Sequence, residues 1–284
     1  MLRDIVLGVK AQVSEQVLNQ ENMTELALAA FFAGGHMLLT GPTGLGKTDW
    51  AQAIAQALGL TCSNKRHNDE LEYNKEPLFS QVFVADAVKT VGHQDSLIEL
   101  VDMQAQYADS KCYALPEPFF MIATHDGAQT LSEALNDRFM IKLPMNYPGI
   151  VAEKLLLQRH HSGNATRQKL LPVCNLEAIA QAKAEVQAVA VEDGIFNYII
   201  SIVETTRRVG AVATGASPRG SIALLMAAKA WAAIQGRDYV VAEDVRSLAL
   251  PVLRHRIKLK PDAVQEGVQP DQIIEGILAG RRTA

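Results

Sequence analysis

Eight consecutive residues, Gly41, Pro42, Thr43, Gly44, Leu45, Gly46, Lys47 and Thr48, combine three glycines, an ammonium and a hydroxyl in the spacing G-x-x-x-x-G-K-[ST]. Those residue types in that order suit a phosphate chain. Glycines let the backbone turn sharply and bring its N–H groups close to anionic oxygens. Lys47 adds a full positive charge for the β- and γ-phosphates of a nucleotide, and the Thr48 hydroxyl is a ligand for the accompanying magnesium. Such a site needs an acid from elsewhere to complete the metal shell. Asp86 is the candidate, at the end of the apolar run Gln81-Val-Phe-Val-Ala-Asp86. A glutamate normally follows that aspartate and orients or deprotonates the attacking water. Here residue 87 is alanine, whose methyl group can do neither.

The elements that must hold these groups are legible around them. Met37-Leu38-Leu39 reads as a buried strand feeding the glycine loop, and Asp49 to Leu58 as a helix stopped by Gly59. A helix N-terminus directly behind the loop adds partial positive charge for an anion. Gln81–Ala87 and Phe119–Thr124 are continuous apolar runs, as expected of parallel strands covered on both faces. A helix is expected over 94–108, a short one over 132–136 and a last strand over 140–143. Residues 13–33 carry helical spacing, and 61–76 read as a polar surface loop with room for one short strand. Strand–helix alternation predicts an α/β fold with an open parallel sheet, and ligand chemistry gathers at the carboxyl ends of such strands. Gly41, Asp86 and Asp126 all fall there.

Beyond Pro148-Gly149 and the polar run 160–169 the pattern changes. Helices are expected at roughly 176–189, 192–209, 218–235, 242–256 and 271–279, with no strand after Asn175. Ser217-Pro218 is an N-cap followed by proline at the first helical position. This predicts a nucleotide-binding core over 1–163 and a small all-helical domain over 164–284.

Composition narrows the class. The 284 residues are 48% apolar and 20% charged, in the range of globular proteins. A formal charge of −4 and a pI near 6.0 speak against a nucleic-acid-coating surface, so no nucleic-acid partner is expected. The first residues lack the apolar core of a signal peptide, and no stretch approaches the ~20 apolar residues of a membrane span. Cys62, Cys112 and Cys174 have no metal or redox spacing, which suits a reducing, cytoplasmic setting. His67, His93 and the pair His160-His161 read as solvated residues without a third ligand. Arg254-His-Arg-Ile-Lys258 reads as a basic helix end.

Taken together, Gly35–Thr48, Leu115–Thr124, Ala134–Phe139, Gly215–Gly220, Gly236–Val245 and Pro251–His255 resemble the MoxR-type members of the AAA+ ATPases over nearly the whole chain. The resemblance implies an αβα core with a P-loop, a helical lid, and a homo-oligomeric ring, usually hexameric, with Mg2+ and ATP between subunits. It implies that Arg138 is the arginine finger that reaches into the next subunit's site, and that Arg219 is the lid arginine that contacts phosphates of its own subunit. Independently, an arginine in a helix's first turn opposes the helix dipole, so a purely structural role suits Arg219 poorly. Partners implied by the family are von Willebrand factor A domain proteins, and the implied work is remodelling or maturation of protein complexes.

Four features depart from the family pattern, one of them a trimmed span between Asp126 and Arg138. Ala87 stands where the catalytic glutamate is expected. Asp126 stands where the family has an asparagine near the attacking water. The stretch from Leu60 to Gln81, which in relatives carries an insertion and a pore-facing loop, is shorter. Two readings follow: either Asp126 takes over as the base and the chain hydrolyses ATP slowly, or the chain binds ATP and acts as a non-hydrolysing, nucleotide-gated assembly subunit. A small-molecule kinase shares the phosphate loop, but the helical second half with Ser217-Pro-Arg219 counts against it.

Overall fold

A computed structural model gives the fold and describes residues 1–18, 20–66, 80–86, 88, 91–103, 105–108, 111–127, 131–161 and 170–280. The first half contains α1 (Leu2–Gln16), α2 (Glu21–Phe32), β1 (Met37–Thr40), α3 (Lys47–Ala57), β2 (Cys62–Arg66), β3 (Val82–Asp86) and α4 (Val91–Met103). It continues through β4 (Ala105–Ala108), β5 (Lys111–Ala114), β6 (Phe120–His125), α5 (Glu133–Asn136), β7 (Ile141–Pro144) and α6 (Ile150–His161). The second half holds α7 (Leu176–Ala188), α8 (Asp193–Arg208), β8 (Val212–Thr214), α9 (Pro218–Ile234), α10 (Ala242–Leu253), β9 (Lys258–Leu259), α11 (Pro261–Gln265) and α12 (Pro270–Ala279).

The central sheet is parallel, in the order β2-β3-β6-β1-β7. Strand residues alternate between its two faces, and both faces are apolar. Met37, Leu39, Val82, Val84, Phe120 and Ile122 join the cluster shared with α1, α2, α3 and the second half. Leu38, Phe83, Ala85, Met121 and Ala123 pack with Leu97 and Leu100 of α4 and Leu135 of α5. The helix α1 buries Leu2, Ile5, Val6, Val9 and Val13, an i, i+3, i+4 stripe. One apolar cluster therefore runs from Leu2 to Ile277 through both halves.

The second half packs where the strands begin. Val173 donates its backbone N–H to Ala57 O at 2.8 Å at the end of α3, and Arg256 Nη1 donates to Met140 O at 3.1 Å just ahead of β7. Contacts of α9 with α2, and of α10 with β7, place the lid beneath the strands. Neither half contributes, among the described residues, a helix long and apolar enough to cross a membrane.

Several expectations are corrected. Residues 105–108 are not the end of a helix: α4 stops at Met103, and β4 pairs antiparallel with β5, in register Ala105↔Ala114 and Ala108↔Lys111. A tyrosine in each arm, Tyr107 and Tyr113, suits a strand, and the helical spacing of 94–103 masked the change. The lid is not strand-free, because β8 and β9 pair antiparallel. Strands of three and two residues are too short to leave a periodic signal. The first helix begins at Leu2, well before residue 13. His67, the remainder of the loop after Arg66, Ala87 and the 163/164 boundary lie outside the described residues.

Candidate functional site

The phosphate loop joins β1 to α3, and its glycines are there for geometry. Gly41 has φ 146°, and a Cβ on it would sit 2.2 Å from Met145 O, so no side chain fits. Gly44 and Gly46 have φ 85° and 79°, and nothing lies within 4 Å of a Cβ added to either. The loop thus arches over open space with its last glycine capping α3 in a left-handed conformation. Its start is tied to the neighbouring strand: Gly41 N–H donates to His125 O at 3.0 Å.

Lys47 is buried, and its Nζ donates to Gly41 O at 2.8 Å and Pro42 O at 2.6 Å. Burial lowers its pKa, while the carboxylates of Asp86 and Asp126 act to raise it. The ammonium is therefore within electrostatic reach of both acids. Parallel register explains the convergence, since Thr40 lies opposite His125 and Asp86 ends β3 beside β6. Asp86 is further fixed by Thr124, whose hydroxyl donates to Asp86 Oδ1 at 2.6 Å. Gly127 N–H donates to His125 Nδ1 at 3.0 Å and turns the chain just past Asp126.

These residues fit a nucleotide with magnesium. Open space above Gly44 and Gly46, a buried ammonium at the loop and half-buried Thr48 and Asp86 supply the cradle, the charge and the hard oxygen ligands. No group of three or more His, Cys, Asp or Glu among the described residues is arranged to hold a metal ion.

The two expected arginines sit elsewhere. Arg138 follows α5 and precedes β7, whose first residue pairs with Met37, the first of β1. It stands at the strands' amino ends, opposite to the phosphate loop. Its Nε donates to both Asp102 carboxylate oxygens at 3.1 Å, its Nη2 also bonds Asp102, and Nη1 donates to Ala134 O at 2.8 Å. Arg219, in the first turn of α9, is exposed and close enough to Arg256 to lower its pKa. Arg256 in turn bonds Asp137 and Met140 O. Arg219 therefore shares the end that carries Arg138. The lid packs under the strands rather than over the loop, so Arg219 lies away from the phosphate loop of its own chain.

Sequence reasoning missed Thr124, Asp102, Asp137 and Arg256. Thr124 ended a recognised strand, and Asp137 adjoins Arg138, but their partners are distant in sequence.

Residues 57–141 match the model of the ATPase family associated with various cellular activities (AAA), and residues 204–277 match the AAA lid domain. The Bacillus subtilis protein YeaC is 32% identical over 292 residues, covering 94% of this chain and 91% of its own. The chaperone MoxR1 of Mycobacterium tuberculosis is 27% identical, covering 94% of this chain and 79% of its own. The crystal structure of a candidate ATPase from Cytophaga hutchinsonii superposes with a TM-score of 0.91 at 26% identity, over 100% of this chain and 96% of that one.

Proposed function

The chain belongs to the MoxR-type AAA+ ATPases, and from that premise we propose that it binds Mg-ATP at Gly41–Thr48 and hydrolyses it within a homo-oligomeric ring, six subunits by family analogy. The work of the ring is to remodel or mature a partner protein complex in the cytoplasm, with von Willebrand factor A domain proteins as the candidate partners. A relative's name, chaperone, agrees with that work.

The observation that carries the reading is Lys47, bonded to the loop carbonyls of Gly41 and Pro42 and within electrostatic reach of Asp86 and Asp126. Lys47 and the loop N–H groups bind the phosphates. Thr48 and Asp86 hold magnesium, which when bound neutralises charge on the β- and γ-phosphate oxygens. Thr124 fixes the carboxylate of Asp86. Asp126, at the strand end beside Lys47, orients a water and accepts its proton in place of the glutamate that residue 87 lacks. Arg138 and Arg219 serve the next subunit. A head-to-tail ring brings one subunit's arginine end against its neighbour's loop end, the geometry of a heterologous interface.

Support for assembly comes from α6. It starts five residues after Met145, whose carbonyl abuts Gly41, so it flanks the phosphate loop. Ala152 is buried, whereas Ile150 and Leu157 are 88% and 69% exposed. At 3.6 residues per turn those two share the side opposite Ala152. An apolar face turned outward beside the loop suits contact with a second copy.

The test is particle mass by light scattering with and without Mg-ATP, for the wild type and Lys47→Ala. Nucleotide-driven growth in mass by the wild type, absent from Lys47→Ala, is expected. A wild type that binds no ATP contradicts the proposal. Ala87 favours a second reading, a nucleotide-gated scaffold that assembles on ATP without turnover.

A further inference from the structure

We infer that Asp137 is a positioning residue that ties the lid to the core so that Arg138 and Arg219 are presented to a neighbouring subunit as one rigid unit. The inference rests on the reading that both arginines serve the next subunit's nucleotide.

The side chain sits one residue before Arg138 and accepts bonds from two parts of the lid. Ser217 Oγ donates to Asp137 Oδ2 at 3.0 Å and to Oδ1 at 3.2 Å. Arg256 Nε donates to Oδ1 at 3.1 Å, and Arg256 Nη2 donates to the Asp137 backbone carbonyl at 3.1 Å. Ser217 caps α9 by accepting the Arg219 N–H at 3.2 Å. A single carboxylate thus reaches the cap of the helix that carries Arg219 while lying next to Arg138 in the chain.

The surroundings make this seam stiff. The Arg256 side chain is 2% exposed, and its Nη1 also donates to Met140 O at 3.1 Å and Val252 O at 2.5 Å. His255 Nε2 donates to Phe139 O at 2.8 Å. Lid residues therefore bind the backbone of 137, 139 and 140 as well as the Asp137 carboxylate. Gly220 allows the approach, since a Cβ there would lie 3.2 Å from Arg256 Cδ. Lys258 of the lid and Glu133 of α5 add a 2.6 Å ion pair. On the core side, Asp102 and Ala134 O set the direction of Arg138. Breaking the carboxylate's charge leaves a buried guanidinium without its ionic partner. It also frees the α9 cap, so the two arginines lose their fixed spacing.

The test uses a fluorescent, non-hydrolysable ATP analogue titrated with magnesium onto the full-length protein. The wild type, Asp137→Asn, Ser217→Ala and an equal mixture of Asp137→Asn with Lys47→Ala subunits are compared, each checked for its melting temperature. Asp137→Asn is expected to bind the analogue roughly tenfold more weakly and Ser217→Ala severalfold more weakly. In the mixture, intact loops of Asp137→Asn subunits face intact arginines of Lys47→Ala subunits, so tight binding is expected to return. Weak binding that persists in the mixture, or Asp137→Asn binding as tightly as the wild type, overturns the inference. If Asp137→Asn does not fold, Ser217→Ala mixed with Lys47→Ala carries the same comparison. A wild type that binds no analogue overturns the underlying nucleotide reading instead, which keeps the two failures apart.

Discussion

The Thr124 hydroxyl donates a 2.6 Å hydrogen bond to Asp86 Oδ1, joining the last turns of two adjacent parallel strands at the end where the phosphate loop lies. Thr124 is buried, so this bond operates with little competition from water. It fixes the position of Oδ1 in the Asp86 carboxylate, the group whose charge acts on Lys47.

Replacing Thr124 with valine keeps the shape of the side chain and deletes the donor. Outer-shell partners of this kind typically contribute 10–100-fold to metal affinity. Thr124→Val is expected to raise the magnesium concentration needed for half-maximal nucleotide binding by about tenfold, with the fold intact. The measurement is a magnesium titration at fixed nucleotide. An unchanged midpoint means that Asp86 holds its orientation without Thr124.

The outward face of α6 makes a separate prediction. Ile150→Asp combined with Leu157→Asp alters two side chains that the rest of the chain leaves exposed. Surface substitutions of this kind usually change stability by no more than about 0.5 kcal/mol. The melting temperature of the protein without nucleotide is therefore expected to stay within a few degrees of the wild type. Assembly on Mg-ATP, followed by light scattering, is expected to disappear. Normal assembly by the double variant assigns the interface to another surface.

Acid should weaken the fold through His36. It is buried ahead of β1, and its Nδ1 accepts the Met121 N–H at 3.2 Å. Burial, reinforced by the Lys183 ammonium, depresses its pKa to about 4. The folded state therefore keeps His36 neutral where the unfolded chain already binds a proton. Its contribution to stability is fully present above pH 6.5 and is lost as the pH falls through about 4, up to about 3 kcal/mol in all. His255, also buried and held well below the ordinary range, adds a slope of the same sign. Urea unfolding at pH 7.5, 6.0 and 5.0 should show a steep fall for the wild type and a shallower one for His36→Gln. Parallel slopes contradict this assignment.

How much of this was legible in sequence depended on range. The loop Gly41–Thr48 and the strands ending in Asp86 and Thr124 are local patterns, and the fold kept them in place. The stripe of Leu2, Ile5, Val6, Val9 and Val13 is an equally local pattern and carries the first helix back to Leu2. Strands β8 and β9 are too short to show a period. The location of Arg219 was beyond local reasoning, because it depends on which end of the sheet the lid covers. Contacts that settle this, such as Ser217 with Asp137 and Arg256 with Asp137, span 80 and 119 residues. Non-local polar bonds of that kind leave no spacing to detect.

In the proposed mechanism Asp126 does the work for which residue 87 has no carboxylate. The most direct measurement is steady-state ATP hydrolysis by the wild type and Asp126→Asn, with nucleotide affinity determined on the same samples. General-base contributions are typically 10²–10⁴-fold. Turnover by the wild type is expected, with a loss of at least about a hundredfold in Asp126→Asn and affinity retained or improved. Equal turnover by the two proteins, or no turnover by the wild type, contradicts that mechanism.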